Sequence, residues 1–367
     1  MAHLEAINIK ALIRSNVKTK NSSQIQKKAL AMVIIVALLL GFEVFAIAIV
    51  HVEGQTDLPE NYGNFQPNID ALEQQSQKEQ FSFAVVGYIE ESGTFETLCD
   101  ELRDEPLSFM VMLGDIVLEC GKDNHAFFRS ECAKKYRLPF PVFIVAGNRD
   151  VAYDEMEPDI GKVSFNDFEE MYGSRNFSFE YNECLFIGLC ILPPPYSTRN
   201  SIEFLESTLA EKRKDNQKVF VFMHVSPVLQ PDTVTPSFEN AQEFVDIISK
   251  YQVDYVISAH YHGYIKTEYG GAIYLVSGGG GGDLDETKTF DGLYHAIVLA
   301  VGHESVSEKV VFAREITDIS GGVKRFARAE LYPFLIRHPA LTIVENLVLI
   351  CVICFTVLLA WKRTYGP

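Results

Sequence analysis

The sequence predicts an α/β domain between two membrane-spanning helices. Short runs of apolar, often β-branched residues are typical of buried strands. Five such runs occupy residues 81–86, 107–113, 141–146, 219–223 and 253–259. Segments with helical spacing of apolar residues alternate with the runs, which favours a sheet covered by helices. Two longer apolar stretches, residues 29–50 and 341–361, contain one charged residue each and can cross a hydrocarbon core of about 30 Å.

The helices and late strands of the domain follow from the spacing of apolar residues. Ile202, Leu205 and Leu209, for example, share one face of a helix whose other face is charged. The predicted helices cover residues 94–103, 124–136, 165–172, 201–214 and 238–251. Two pairs of late runs predict antiparallel strands. These pairs are residues 177–181 with 185–191, and residues 295–301 with 305–316.

Composition places the chain among folded, acidic proteins. Of its 367 residues, 47% are apolar, which is enough for a sizeable core and too many for a disordered chain. The formal net charge of −17 comes without the basic stripe that nucleic-acid binding requires, so we expect no nucleic-acid partner. The polar segment 51–80 is predicted to be a linker. Residues 321–340 are predicted to be a juxtamembrane segment that either rests on the membrane surface or simply connects domain and helix.

The distribution of basic residues predicts the orientation in the membrane. Cytoplasmic flanks are enriched in Lys and Arg. The tails 1–28 and 362–367 contain six and two of them, against four in residues 321–340 and none in residues 51–70. Both tails are therefore predicted to be cytoplasmic. The domain at residues 81–320 is then extracytoplasmic, whether periplasmic, extracellular or lumenal, and the lipid bilayer is an expected partner.

The first apolar stretch has a second interpretation. Ala46-Ile47-Ala48 resembles the cleavage site of a secretory signal sequence. The 22 residues of the stretch 29–50 exceed the usual apolar region of a signal, about 7–15 residues. We therefore expect an uncleaved anchor.

Side chains that can bind metal follow four of the strand runs. Asp115, Asn148 and His224 follow the second, third and fourth runs, and His260 and His262 follow the fifth. In α/β folds, ligands bind outside the carboxyl ends of the strands. Carboxylate, amide and imidazole groups together suit a divalent metal ion. The pattern therefore predicts a metal site at the strand ends.

Each of these residues has a simpler interpretation on its own. Asp115 could cap a helix or form a turn after its strand. A single His224 is more often a hydrogen-bonded core residue than a ligand, and His260 and His262 could belong to a polar loop. The positions taken together, each after a strand, favour a metal site.

In order and spacing, these motifs resemble those of the calcineurin-like metallophosphoesterases over residues 80–312. That family has D-x-H, G-D, G-N-H-D or G-N-H-E, a single His, and G-H-x-H. The matching residues of this chain are Gly114-Asp115, Gly147-Asn148-Arg149-Asp150, His224 and Ala259-His260-Tyr261-His262. Tyr88-Ile89-Glu90 stands in place of D-x-H, and Arg149 in place of the third-motif histidine. The resemblance implies a four-layer αββα sandwich, here flanked by the two transmembrane helices.

The resemblance also assigns metal ligands. Two metals share the aspartate of G-D. The complete set for one metal is Asp115, Asn148, His224 and His260. The other set retains Asp115 and His262, with Glu90 as a further oxygen ligand and Tyr88 able to bind only as phenolate. We expect one divalent ion, Mn, Zn or Fe, at the complete set. A second, weaker ion near Glu90 and His262 stays an open alternative.

Two functions are compatible with these residues. The expected catalytic residues are Asp115, Asn148, Arg149 and His224. One hypothesis is a membrane-anchored phosphoesterase that hydrolyses a phosphomonoester or phosphodiester, of a small molecule or a lipid, with a metal-activated water. The alternative is a catalytically degenerate member that binds a phosphorylated ligand or protein partner without turnover. Arg149 can hold phosphate through two hydrogen bonds but cannot donate a proton. The sequence leaves the oligomeric state open.

A run of glycines at residues 278–282 has two interpretations. Bare amides of such a loop can bind an anion beside the metal site. The run can equally be a flexible connection. Asp283, which follows directly, opposes a phosphate cradle because its charge repels phosphate.

Overall fold

The computed structural model describes residues 24, 26–48, 56–90, 93–153, 161–284, 293–314, 323 and 326–365. They belong to two compact units, one within Val50–Ala329 and the other within Met1–Ile49 and Glu330–Pro367. The predictions for residues 1–23, for the strand end at 315–316, and for residues 321, 322, 324 and 325 of the juxtamembrane segment lie outside the described residues.

Two β-sheets form the centre of the unit within Val50–Ala329. The described strands are β1 (Gln80–Val86), β2 (Leu107–Met112), β3 (Val142–Ile144), β4 (Phe177–Tyr181), β5 (Cys184–Gly188), β6 (Lys218–Phe222), β7 (Tyr255–Ser258), β8 (Tyr264–Tyr269), β9 (Ala272–Ser277), β10 (His295–Gly302) and β11 (Val306–Phe312). One sheet has the order β11-β10-β1-β2-β3 and the other β4-β5-β6-β7-β9-β8. β1, β2 and β3 are parallel, as are β5, β6, β7 and β9. The carboxyl ends of the parallel strands therefore meet at one edge of each sheet.

Helices alternate with the strands along the chain. The described helices are α1 (Gln26–Ala48), α2 (Gln66–Glu73), α3 (Gly93–Arg103), α4 (Lys122–Lys134), α5 (Phe165–Tyr172), α6 (Arg199–Lys212), α7 (Ala241–Lys250), a π-helix (Phe326–Leu331), α8 (Tyr332–Arg337) and α9 (Pro339–Tyr365). The predicted boundaries of α5 agree with the structure because Ser164 caps this helix. Its hydroxyl accepts the Asp167 N–H at 3.1 Å, and the Asp167 carboxylate accepts the Ser164 N–H at 2.9 Å.

Alternation along β1 shows how the layers are built. Successive side chains of a strand point to opposite faces, and both faces of β1 are buried. Phe83 faces the second sheet, with its ring centroid 6.0 Å from that of Phe222. Val86 packs in a separate cluster with Phe95 of α3. The outer face of the second sheet is covered in the same way by α6 and α7. The predicted four-layer αββα sandwich is confirmed.

The expectation that residues 51–80 form only a linker is wrong for their described part. This part contains α2, and Tyr62 and Leu72 are buried. The Asn64 side chain donates to the Ile144 carbonyl at 2.6 Å and accepts the Ile144 N–H at 2.9 Å. The segment thus covers the edge strand β3, whose backbone groups need partners. The segment is polar because side chains such as that of Asn64 bond to backbone groups. This polarity suggested a linker.

The terminal helices form the second unit. Gln26–Ala48 and Pro339–Leu359, of 23 and 21 residues, are long and apolar enough to span a membrane. Large apolar side chains such as Leu38 and Leu358 are 68% and 63% exposed, as expected for surfaces that contact lipid. Within this unit, the Asn346 side chain donates to Glu43 Oε2 at 2.7 Å. A polar contact therefore joins two otherwise apolar helices.

Candidate metal centre

Four predicted ligands converge where strands of the two sheets end. Asp115 follows β2 and Asn148 follows β3, whereas His224 follows β6 and His260 follows β7. The ligand atoms of Asp115, His224 and His260 all lie within 4.8 Å of one another. The Asn148 Oδ1 is 3.0 Å from His224 Nε2. The structure thus brings together the set that the resemblance assigns to one metal ion.

The hydrogen bonds of His224 fix which of its nitrogens faces the centre. Its Nδ1 lies 2.8 Å from the carbonyl oxygen of Leu113. Because a carbonyl only accepts, Nδ1 carries the proton and donates. Nε2 then faces Asn148 Oδ1, Asp115 Oδ1 at 3.4 Å and His260 Nδ1 at 3.2 Å. Ligands about 2.1 Å from a tetrahedral metal ion lie roughly 3.4 Å apart, so the residues fit one divalent ion.

Burial and neighbouring charges set the protonation of these ligands. Burial opposes ionisation of Asp115, but His224 and the N–H of Arg149 hold the pKa of this carboxyl below its usual value. Burial likewise opposes a charge on His224, but Asp115 raises the pKa of His224. Burial, followed by the charge of His224, lowers the pKa of His260 to about 4. Asp115 is therefore an anion at neutral pH, and His260 is a neutral imidazole that can bind metal.

Several residues of the centre have a left-handed backbone. φ is +52° at Asp115, +58° at His260, +60° at Tyr88 and +50° at Glu90. Each non-glycine residue in this region costs on the order of 1–3 kcal/mol, and such residues concentrate at functional sites. The Ile89 and Glu90 N–H groups donate to the Asp115 carbonyl at 2.9 and 3.2 Å. The first and second motifs are thus held together through their backbones.

The glycines of the second and third motifs are required by close approach. A Cβ at Gly147 would lie 2.4 Å from Asp115 Oδ1, and a Cβ at Gly114 would lie 2.6 Å from His224 Nδ1. No side chain fits at either distance without a shift of the ligand itself. The glycine in front of each ligand therefore lets the two loops meet.

Asp150 is a residue of the centre to which the sequence interpretation gave no role. It is fully buried, and its carboxylate accepts backbone N–H groups of Gly147 at 2.7 Å and Ile116 at 2.9 Å. It therefore ties the third-motif loop to the second. Its position at the end of Gly147-Asn148-Arg149-Asp150 was the only signal in the sequence.

Comparison with known proteins agrees with this geometry. Residues 89–264 match the calcineurin-like phosphoesterase family. The domain belongs to this family. Its fold is shared with a purple acid phosphatase from yellow lupin (Lupinus luteus), with 15% identity and a TM-score of 0.50. The match covers 65% of this chain and 52% of the lupin chain, so this chain spans about half the length of that enzyme.

Two further solved structures are similar at lower TM-scores. GAP50, the anchor in the inner membrane complex of Plasmodium, has 16% identity and a TM-score of 0.47, over 69% of this chain and 96% of its own. A dimetal phosphatase from Danio rerio has 13% identity and a TM-score of 0.42, over 64% of this chain and 99% of its own. No curated protein matches the sequence. Membership in the calcineurin-like phosphoesterases implies divalent metal ions.

Arg149, which replaces the family histidine, lies beside two carboxylates. Its guanidinium forms an ion pair with Glu90, and its Nε is 3.8 Å from Asp115 Oδ2. Its backbone N–H donates to Asp115 Oδ1 at 3.0 Å. Burial disfavours its charge, but Glu90, Tyr88 and Asp115 raise the pKa of Arg149 above its usual value. Arg149 is thus a permanent cation of the centre.

Tyr88 and His262, which the resemblance places in the first metal set, contact each other. Their rings are stacked, with centroids 3.5 Å apart and planes 16° apart. Arg149 Nη2 donates to the Tyr88 hydroxyl at 3.5 Å. Burial, followed by the charge of Glu90, raises the pKa of Tyr88 above its usual value. At neutral pH Tyr88 is therefore a phenol, whereas ligation would need the phenolate.

The glycine run at residues 278–282 is not a loop of bare amides. The N–H of Gly280 donates to the Gly87 carbonyl at 3.0 Å, and the N–H of Gly282 donates to the Tyr88 carbonyl at 3.1 Å. A Cβ at Gly282 would lie 2.4 Å from Tyr88 Cε1. The run is glycine-rich because it packs directly against the first motif, so the anion-binding interpretation is wrong for these two amides.

Proposed function

We propose that the chain is a membrane-anchored, metal-dependent phosphoesterase that hydrolyses a phosphomonoester or phosphodiester. The observation that supports this proposal is the convergence of Asp115, Asn148, His224 and His260 with His224 Nε2 directed at the other ligands. Nitrogen and oxygen ligands of this kind suit Mn, Zn or Fe. When bound, a divalent ion supplies a water of lowered pKa and neutralises phosphate oxygens.

Residues of the chain would orient a metal ligand and hold the phosphate. Leu113 holds the His224 ring through its carbonyl, so that Nε2 stays directed at the centre. The Arg149 side chain is 30% exposed, and its donors not used by Glu90 can hold a phosphate oxygen. Because Arg149 cannot release its proton, substrates with good leaving groups are favoured.

Binding of a phosphorylated ligand without turnover is the second candidate function. Two contacts favour this function: the Arg149–Glu90 ion pair and the Tyr88–His262 stack. They engage Glu90, Tyr88 and His262, the three residues that the family pattern would give to the other metal. A binding protein still needs one divalent ion and Arg149, but it does not need a second metal ion.

Metal content and turnover together test the proposal. Asp115→Asn should remove bound metal and reduce hydrolysis of an activated aryl phosphodiester by at least about 100-fold, since the shared carboxylate is lost. His260→Ala, on the other sheet, should give the same two losses. The matched control Asp215→Asn changes an exposed turn residue and should retain both. Wild type that binds Mn and inorganic phosphate without turnover would support the binding function. Turnover that survives Asp115→Asn would refute the assigned site.

The membrane orientation is part of the proposal. It is supported by two terminal helices of sufficient length and by the excess of Lys and Arg in the tails. Labelling of engineered cysteines in intact cells with a membrane-impermeant thiol reagent tests it. Asp215→Cys, in the domain, should react from outside where the domain is periplasmic or extracellular, whereas Lys20→Cys should react only after permeabilisation. The opposite pattern would place the domain in the cytoplasm.

A further inference from the structure

The four positions that correspond to the other metal of the family are all engaged by side chains of this chain. These positions are Tyr88, Glu90, Asp115 and His262. Arg149 contacts three of them. It pairs with Glu90, lies 3.8 Å from Asp115 Oδ2 and donates to the Tyr88 hydroxyl at 3.5 Å. The fourth, His262, is covered by the Tyr88 ring at 3.5 Å.

The carboxylates of Glu90 and Asp115 require a positively charged partner. The side chains of Glu90 and Asp115 are only 10% and 2% exposed. Buried carboxylates without a positive partner are strongly destabilising. A guanidinium keeps its charge at every relevant pH and presents several donors in one plane. Arg149 therefore gives these carboxylates the compensation that a metal ion would otherwise give.

Packing opposes replacement of this cation. A divalent ion bound by Glu90, Asp115 and His262 would have to displace the guanidinium, and the Tyr88 phenol stacked on His262 would give it no charged ligand. The Tyr88 backbone is fixed, because its carbonyl accepts the Gly282 N–H at 3.1 Å. Its ring leaves no room even for a methyl group at Gly282, since a Cβ there would lie 2.4 Å from Tyr88 Cε1.

We propose that Arg149 is an internal cation that takes the place of the second metal ion, so that the centre binds a single divalent ion. This inference rests on the proposed metal site formed by Asp115, Asn148, His224 and His260. With one divalent ion bound there, Arg149 would be the second positive group that faces a phosphate. The first motif of this chain, Tyr88-Ile89-Glu90, would then stabilise the centre, whereas the first motif of the family binds metal.

The number of Mn ions per chain tests the inference without any assay of activity. Equilibrium dialysis of the purified full chain, followed by elemental analysis, should give one Mn per chain for wild type and for Arg149→Lys. Arg149→Met should raise the number above one, because Glu90 and Asp115 then lack their cation. The triple variant Tyr88→Asp, Glu90→His, Arg149→His should bind two ions and show a spin-coupled Mn pair by electron paramagnetic resonance.

Arg175→Met is the matched control. Arg175 is also 30% exposed, pairs with Glu169 at 3.3 Å and lies over an aromatic ring, that of Phe165. The Arg175→Met variant should leave the stoichiometry at one Mn per chain. Near-ultraviolet circular dichroism confirms the folding of every variant. Two Mn ions in wild type would overturn the inference while leaving the proposed metal site intact. No Mn in wild type would overturn both. A single ion in both Arg149→Met and the triple variant would show that Arg149 does not exclude the second ion.

Discussion

The Asp150 carboxylate accepts the backbone N–H of Asp115 at 3.0 Å. The same carboxylate accepts the N–H groups of Gly147, Ile116 and Val117 at 2.7, 2.9 and 3.3 Å. One buried side chain thus fixes the turn that presents Asp115 and the start of the loop that presents Asn148. The ligand geometry therefore depends on a residue that need not contact metal.

Asp150→Asn should destabilise the protein and weaken metal binding. The amide that replaces one carboxylate oxygen donates, so it faces backbone N–H donors without a bond. We expect the free energy of unfolding to fall by about 2–3 kcal/mol, measured by urea unfolding of the purified chain in detergent. The exposed control Asp215→Asn should change it by less than about 0.5 kcal/mol. Equal stability of the two variants would show that Asp150 does not hold the loops.

His125 supports the same loop and should make stability depend on pH. Its Nε2 donates to the Asp150 carbonyl at 2.9 Å, and its Nδ1 accepts from the Tyr172 hydroxyl at 2.8 Å. Burial lowers the pKa of His125 from 6.5 to about 4, so folding favours the neutral ring. Its contribution to the free energy of unfolding is fully present above pH 6.5 and is lost as the pH falls towards 4. The loss amounts to about 3 kcal/mol.

His125→Gln isolates this contribution from that of other titrating groups. The variant should be less stable than wild type at pH 7.5, and the difference should shrink by about 3 kcal/mol between pH 7.5 and pH 4. Urea unfolding at a series of pH values measures both curves. The exposed His303→Gln serves as the control and should change the free energy of unfolding at pH 7.5 by less than about 0.5 kcal/mol. Parallel curves for wild type and His125→Gln would contradict the prediction.

The candidate ligands were predictable because each follows an apolar strand. The convergence of Asp115, Asn148, His224 and His260 followed from the strand runs and the rule that parallel strands end together, whereas their grouping as one metal set came from the resemblance to the family. The role of Arg149 was not predictable in this way. Its contact with Glu90 joins positions 59 residues apart. No local pattern in a sequence encodes such a contact.

Most of the fold was predictable for a similar reason, whereas helix α2 was not predicted. The alternation of strands and helices follows from apolar spacing, which is a local property. Helix α2 was missed because its stretch is polar, and the burial of Ile69 and Leu72 becomes visible only when the sheets are assembled. The anion-binding interpretation of the glycine run was wrong for Gly280 and Gly282 because these glycines pack against the first-motif segment, which is also a tertiary property.

The Asn346–Glu43 hydrogen bond should strengthen association of the terminal helices. In apolar surroundings, a hydrogen bond between helices contributes about 1 kcal/mol, or roughly fivefold in association. Labelled peptides of residues 24–50 and 337–365 in lipid vesicles allow energy transfer to measure this association. Asn346→Leu should weaken it about fivefold, whereas Glu43→Gln keeps an acceptor and should retain it. The control is Ile343→Leu, at a position 61% exposed. If Asn346→Leu associates as wild type does, the bond does not stabilise the pair in lipid.

Gly282→Ala should disturb the stack of Tyr88 on His262. The added Cβ would lie 2.4 Å from Tyr88 Cε1 and 2.7 Å from Glu90 Oε2, so the ring or the carboxylate must shift. We expect the free energy of unfolding to fall by about 1–3 kcal/mol. The His262 C2 proton should also lose the ring-current shift that the stacked phenol causes, which nuclear magnetic resonance of a histidine-labelled sample detects. Gly161→Ala is the control, because its Cβ would meet nothing within 4 Å, and it should leave the His262 signal in place. An unchanged His262 signal in Gly282→Ala would mean that the glycine run does not hold Tyr88 against the histidine.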